Sequence, residues 1–258
     1  MDCKRKEKII FACAIRDCEQ YITKVYNNIV NLAKLFSEYK IIFIESDSKD
    51  ATVHALLNLK HYDHNVEFVC LGQLQQTINS RTDRIALARN TYLDLVRSNY
   101  SDWDLLCMFD ADDRSVHKIN EENFLDNFNY NDWDMICANQ ENKYYDLWAL
   151  RHDYWMPTDL IRMMTIDRPN FISYNDAGNM FSHSRRIHIP KNAGLIKVDS
   201  AFGGMAMVKI PSIKNAKCIG HYQDGFPCCE WVPFCKTLNN GEAKIYINSK
   251  FINGPGET

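Results

Sequence analysis

Apolar positions in the first half of the chain alternate between two periods. Short unbroken runs, Ile9 to Ala14, Tyr39 to Ile44, Val66 to Leu71 and Leu105 to Phe109, have the length and the β-branched or aromatic content of buried strands. Between them lie segments with helical spacing. Glu19 to Ser37 puts Ile22, Val25, Ile29, Leu32 and Leu35 on one stripe. Ala51 to Leu59 is a shorter helix, and Thr82 to Arg97 aligns Ile85, Ala88, Tyr92 and Leu95. Strand and helix in alternation predict an α/β protein, with a Rossmann-like, mainly parallel sheet and helices on both faces.

The second half is less regular. Asp134 to Ala138, Tyr145 to Leu150, Ile196 to Ser200, Gly204 to Val208 and Lys244 to Ile247 read as short strands, and residues 157–176 mix helix and loop signals. No linker, internal repeat or low-complexity stretch divides the 258 residues. The expectation is one compact domain over residues 1–258, with a nucleotide-binding half to about residue 113 and an acceptor-binding half beyond it.

Composition narrows the function classes. A net charge of −3 argues against a nucleic-acid partner. The longest apolar runs, such as Ile41 to Ile44, are too short to span a bilayer. The start, Met1 to Lys8, is too brief and too charged for a secretory signal and reads as a solvated tail. A cytoplasmic location is therefore expected, with the ten cysteines reduced. Cys13, Cys70, Cys107 and Cys137 fall in predicted strands as small buried hydrophobes. Cys218, Cys228, Cys229 and Cys235 cluster near His221 but form no C-x-x-C pair, so packing thiols are expected there rather than zinc ligands.

Ligands of an open parallel sheet bind beyond the carboxyl ends of its strands. Those ends carry Arg16-Asp17, then Glu45-Ser46-Asp47-Ser48, then Gly72, then Asp110-Ala111-Asp112-Asp113. Each alone reads as a turn or cap. Together they outline a shared site. Asp110 and Asp112 project to the same side of an extended backbone, and that concentration of charge suits a hard divalent cation carrying phosphates. In Arg81 to Asn90, Thr82 reads as a helix N-cap, which places Arg81 and Arg84 at the positive helix end, suited to anions. Arg89 and Asn90 lie a turn deeper, where polar residues must be exposed or paired. Trp148 follows the aromatic stretch Tyr144-Tyr145-Asp146, and Gly203-Gly204 permits a tight turn or a close approach to a ligand. Glu230, between Cys229 and Trp231, is expected in an apolar setting that raises a carboxyl pKa and suits a general base; Asp224 is its nearest rival.

The ordered set A-x-R-D, E-S-D-S, R-T-x-R-I-A-x-A-R-N, F-D-A-D-D, Y-D-x-W-A-L-R, F-G-G-M-A, C-E-x-V-P-F and K-I-Y-I-N resembles nucleotide-sugar glycosyltransferases of the glycosyltransferase-A fold. It is most similar to those encoded by large DNA viruses of algae and amoebae, which would place it in a host cytoplasm, and less so to fungal capsule-associated mannosyltransferases. The resemblance spans about residues 9–253. It implies that Ala14, Arg16 and Asp17 contact the nucleotide, with Glu45 and Asp47 near base or ribose. Asp110 and Ala111 would face the donor, Asp112 with Asp110 would hold Mn²⁺ or Mg²⁺, and Arg84 and Arg89 would hold the acid cluster or the donor sugar. Trp148, Gly203 and Gly204 would border a glycan or glycoprotein acceptor, and Glu230 would be the base. The metal-binding His many members carry near the C-terminus is absent, leaving His221 as the late candidate. A UDP-sugar is favoured over a GDP-sugar as donor. The alternatives are a sugar nucleotidyltransferase, which usually needs a glycine-rich loop that Ala14 to Cys18 lacks, and a carbohydrate-binding protein without catalysis. The sequence leaves the oligomeric state open.

Overall fold

Alternate residues of a strand face opposite sides of a sheet, and the first strand, β1 (Arg5–Ile15), uses both. Ile9, Phe11 and Cys13 enter one core while Ile10 and Ala12 enter another. The computed structural model describes residues 4–256. In it β2 (Phe36–Glu45) and β4 (Leu105–Phe109) flank β1 in parallel, and β3 (Val66–Cys70) pairs parallel with β2. Helices α1 (Glu19–Ala33) and α2 (Thr52–Tyr62) cover the first face with Ile22, Val25, Ile29 and Leu56. Helix α3 (Arg81–Asn99) covers the second with Tyr92, Leu93 and Val96.

The remaining strands are β5 (Met135–Gln140), β6 (Leu195–Val198), β7 (Met205–Lys209) and β8 (Ile245–Gly254). One sheet results, in the order β3-β2-β1-β4-β7-β5-β8-β6. It is parallel through the first four strands. Beyond them β7 runs antiparallel to both β4 and β5, β5 is parallel to β8, and β6 closes the edge antiparallel. Short helices complete the order: α4 (Glu121–Leu125), α5 (Leu160–Met164), α6 (Tyr174–Ala177) and α7 (Trp231–Thr237).

Several expectations are corrected. The charged start is no free tail: Arg5 to Lys8 belong to β1, while residues 1–3 lie outside the described residues. Helix α1 stops at Ala33, because Phe36 is wholly buried as the first residue of β2. Tyr145 to Leu150 forms turns instead of a strand. β8 runs on to Gly254, past register shifts after Cys137 of its partner β5. Cys70 is exposed at a sheet edge, unlike the buried Cys13, Cys107 and Cys137. Cys218, Cys228, Cys229 and Cys235 are all buried.

Ser80, and not Thr82, caps α3, its hydroxyl accepting from the Asp83 N–H at 3.2 Å. One face of α3 grips the segment 213–221 at seven-residue intervals, two helical turns apart. Asp83 Oδ1 meets His221 Nδ1 at 2.7 Å. The Asn90 amide exchanges two 2.9 Å hydrogen bonds with the backbone of Cys218. The Arg97 guanidinium donates to the carbonyl oxygens of Ile213 and Ala216. These polar side chains on a long helix are thus tertiary clamps.

The first face is cemented by aromatic rings. Phe124 has Phe11, Phe36 and Phe251 at centroid distances of 6.4, 6.2 and 5.5 Å. Phe124→Ala empties the centre of this cluster and is expected to cost about 3–5 kcal/mol in chemical denaturation. A loss within about 0.5 kcal/mol, the level of an ordinary surface change, would show that the ring cluster does not hold this face.

Candidate active site

A cleft of about 510 Å³ opens at the carboxyl ends of β1, β2 and β4, bounded by the N-terminal part of α3 and the start of α7. Ala14, Arg16, Asp17, Asp47, Arg84, Arg89, Asp110, Ala111, Asp112, Trp148 and Glu230 all line it. Residues more than 200 positions apart are therefore assembled as the strand-end argument predicts.

The backbone at the strand ends is shaped for this. Asp17 and Asp47 adopt φ of 47° and 64°, the left-handed region that Asp tolerates better than most residues. Each turn is pinned by side chains. Asp17 Oδ1 accepts from the Lys49 N–H at 2.7 Å, and Asp47 Oδ1 from the Gln75 N–H at 2.8 Å. Arg84 Nε lies 3.2 Å from Asp47 Oδ2, and its Nη1 donates to the carbonyls of Ile78 and Asn79. Asp112 Oδ1 accepts from the N–H groups of Arg114 and Ser115, which fixes the carboxylate at the mouth of the cleft.

At the base of the cleft, Arg89 is almost fully buried at 7% exposure. Its Nη2 donates to Asp110 Oδ1 at 3.2 Å, and its Nε lies 2.8 Å from Glu230 Oε1. The second contact is an ion pair whose N–H is not aimed at the oxygen. The guanidinium stacks over Trp231 at 4.1 Å and Phe202 at 5.1 Å from the ring centroids. Glu230 therefore sits among aromatics, as expected, but paired with a cation. That pairing corrects the purely apolar setting read from Cys229 and Trp231.

Acids outnumber this base. Asp110 has 31% of its side chain open to the cleft, yet protein encloses the rest. Burial pushes its carboxyl up to about 7; Asp112, Asp146 and Glu230 add to the rise against the pull of Arg89. Burial likewise raises Asp146, against hydrogen bonds from the N–H groups of Gly203 and Ala149. Crowded carboxylates of this kind are relieved by a cation. Asp110 and Asp112 offer hard oxygen donors suited to Mn²⁺ or Mg²⁺, with the remaining positions left to substrate phosphates and water. The two carboxylates fit an ion shared with a substrate better than an all-protein cage. Among the described residues no group of three His, Cys, Asp or Glu side chains is placed to hold a metal.

Five candidates fall elsewhere. Glu45 is buried behind the cleft and caps its own turn through Ser48 N. His221 is held by Asp83, apart from the Asp110–Asp112 pair. Asp224 is on the surface, where a hydrogen bond from Arg162 at 2.7 Å lowers its pKa; it neither reaches the cleft nor lies in a setting that makes a base. Gly203 and Gly204 are buried behind the cleft wall, not on its surface. Both have positive φ, and a Cβ on Gly203 would collide with the Ala138 carbonyl oxygen. Gly204 O accepts from the Asp110 N–H at 3.0 Å, so this glycine pair seats the acid and not a ligand. Asp146, Tyr145 and Phe202, which the sequence does not single out as site residues, also line the cleft, as does Ser46 of the second strand end. Asp146 was legible only as a lone acid in an aromatic stretch.

No family model matches the chain, and no curated protein matches it. Solved structures of S. aureus TarS residues 1–349 do. The complex with UDP superposes with a TM-score of 0.52 at 12% identity, covering 94% of this chain and 58% of that one. The complex with UDP-GlcNAc gives 0.51 at 13% identity, covering 94% and 56%. The chain spans less than two thirds of the length of these structures. The likeness establishes the fold, a mixed α/β sheet of the glycosyltransferase-A type.

The raised Asp110 carboxyl has a stability consequence. Between about pH 4 and 7 the folded protein keeps a proton that the unfolded chain has released, so stability falls as pH rises through that window. Asp110→Asn removes this slope. In metal-free buffer, wild type is expected to lose at least about 2 °C more in Tm than the variant between pH 5 and pH 8. Parallel melting curves would place the Asp110 carboxyl at its ordinary value.

Proposed function

We infer that this protein is a glycosyltransferase that uses a divalent cation to move a sugar from a nucleoside diphosphate sugar, UDP in preference to GDP, to a hydroxyl of a glycan or glycoprotein. The observation that carries the reading is the convergence of Asp110 and Asp112 with Arg84, Arg89 and Glu230 in one strand-end cleft. The fold shared with a protein solved with UDP and with UDP-GlcNAc supports it. No helix among the described residues is long and apolar enough to cross a membrane.

The residues divide the work by chemistry. Arg16, Asp17 and Asp47, on the turns after β1 and β2, would take the nucleoside, and Arg84 beside them would face the diphosphate. A divalent ion on Asp112 and Asp110, when bound, would neutralise charge that grows on the leaving diphosphate. Arg89 holds Glu230 by one carboxylate oxygen, Oε1. That leaves Oε2 to take the proton from the acceptor hydroxyl as its oxygen bonds to the anomeric carbon and the bond to the diphosphate breaks. Trp148 offers an apolar face for the acceptor sugar.

Asp112→Asn is expected to abolish Mn²⁺-dependent thermal stabilisation by UDP while leaving the unliganded Tm near wild type. Stabilisation by UDP that is equal in EDTA and in Mn²⁺ would remove the metal from the reading. Glu230→Gln keeps the shape and is expected to retain UDP binding while cutting transfer about 10²–10⁴-fold. Near-normal transfer by that variant would assign the base elsewhere, with Asp146 the acid of the cleft that has no other role in this reading.

A further inference from the structure

A second cavity, of about 680 Å³, lies on the other side of α7. The two cavities share the helix as a wall. Glu230 and Trp231 face the first, while Val232, Cys235 and Lys236 face the second. A helix with its side chains is about 10 Å across, a distance that two or three linked pyranose rings bridge. The proposed reaction does not use this cavity, and its size is that of a ligand site.

Its lining carries opposed charges in balance. Arg151 is engaged by Asp159 at 2.9 Å and Arg162 by Asp224 at 2.7 Å. What remains is Lys197 and Lys236 against Asp199 and Glu242, all exposed on the cavity wall. An anion would meet the two carboxylates, and a cation the two ammonium groups. A neutral polyol meets donors and acceptors together, as vicinal hydroxyls require. The ring of Tyr222 and the side chain of Val232 add an apolar surface for the C–H face of a sugar.

A buried carboxylate joins this cavity to the first. Asp159 is 2% exposed. Its Oδ1 caps α5 by accepting from the N–H groups of Ile161 and Arg162. Its Oδ2 accepts from Arg151 Nη2 at 2.9 Å, from the Tyr222 hydroxyl at 2.8 Å and from Trp148 Nε1 at 3.2 Å. Tyr222 lines the second cavity and Trp148 the first. One carboxylate therefore fixes an aromatic wall of each.

We propose that the second cavity is a subsite for a neutral stretch of the acceptor glycan, two or three sugar units from the hydroxyl that is glycosylated, and that Asp159 keeps its Tyr222 wall in register with Trp148. The acceptor role rests on the transferase reading; the capacity to bind a neutral sugar does not.

The test is an amide-shift titration of the whole chain by NMR. The probes are methyl α-D-mannopyranoside, methyl β-D-glucopyranoside and methyl β-D-galactopyranoside, each at up to about 0.1 M, enough to fill a millimolar site. Sodium sulfate at matched ionic strength is the anion control. At least one glycoside is expected to shift the amides of Lys197, Asp199, Lys236 and Glu242 in a saturable way. Asp199→Ala combined with Glu242→Ala should weaken that response several-fold and leave stabilisation by UDP with Mn²⁺ unchanged. No response to any of the three glycosides, or a response to sulfate alone, overturns the proposal. UDP binding in the same protein keeps the two readings apart. A glycoside response without binding of UDP or GDP would retain the sugar site and refute the transferase, and nucleotide binding without a glycoside response would do the reverse.

Discussion

The cleft is organised around a single guanidinium. Arg89 reaches from the middle of α3 to the end of β4 and the start of α7, meeting Asp110 on one and Glu230 on the other. Removing a cation this far from water is costly, and a buried ion pair is weak evidence of added stability. What the arrangement secures is position. Two aromatic faces, Trp231 and Phe202, hold the guanidinium plane, so the two carboxylates are held relative to each other. Without it, three acids would face an enclosed space with no buried counter-charge between them.

The antiparallel strand in the middle of the sheet serves the same end. Because β7 runs against β4, its first residue, Met205, pairs with the last of β4, Phe109. The turn before β7 then arrives beside Asp110, and Gly204 O receives the Asp110 N–H. Only a residue without a side chain fits there, since Ala138 crowds Gly203 and both Tyr145 and Asn253 crowd Gly204. Asp146 completes the seat by accepting from the Gly203 N–H at 2.9 Å. A uniformly parallel sheet would carry this turn to the opposite end of the strand.

The parallel half of the fold was legible because its signals are local. Strands such as Ile9 to Ala14 and Leu105 to Phe109 are buried on both faces and read as continuous apolar runs, and α1 carries a clear stripe. Their order on the chain dictates which ends carry the polar turns, so most of the cleft could be assembled without coordinates. The rest depends on contacts that leave no periodic trace. The antiparallel placement of β7 is one. The pairing of Arg89 with Glu230, 141 positions apart in number, is another. Glu45 and Asp47 look equivalent two residues apart and both are buried, yet Glu45 caps Ser48 while Asp47 lines the cleft, held there by Gln75 and Arg84. The glycine pair does mark a close approach, but what approaches is the protein itself: Ala138, Tyr145 and Asn253.

Unbalanced buried charge is concentrated at the cleft. Elsewhere the long-range polar clamps are well matched, Asn90 to the Cys218 backbone, Asp159 to five donors and Arg97 to two carbonyls, although Asn127, Asn139 and Asn253 each keep one buried polar atom without a partner among the described residues. In the cleft the match is left short by design of the sheet ends. Asp110 and Glu230 share one guanidinium beside Asp146, and burial, with the neighbouring acids adding to it, raises the Asp110 carboxyl to about 7. A ligand that brings positive charge to these carboxylates relieves their repulsion and displaces that proton in the same event. Binding, protonation and the stability of the folded chain are therefore one linked equilibrium at this strand end.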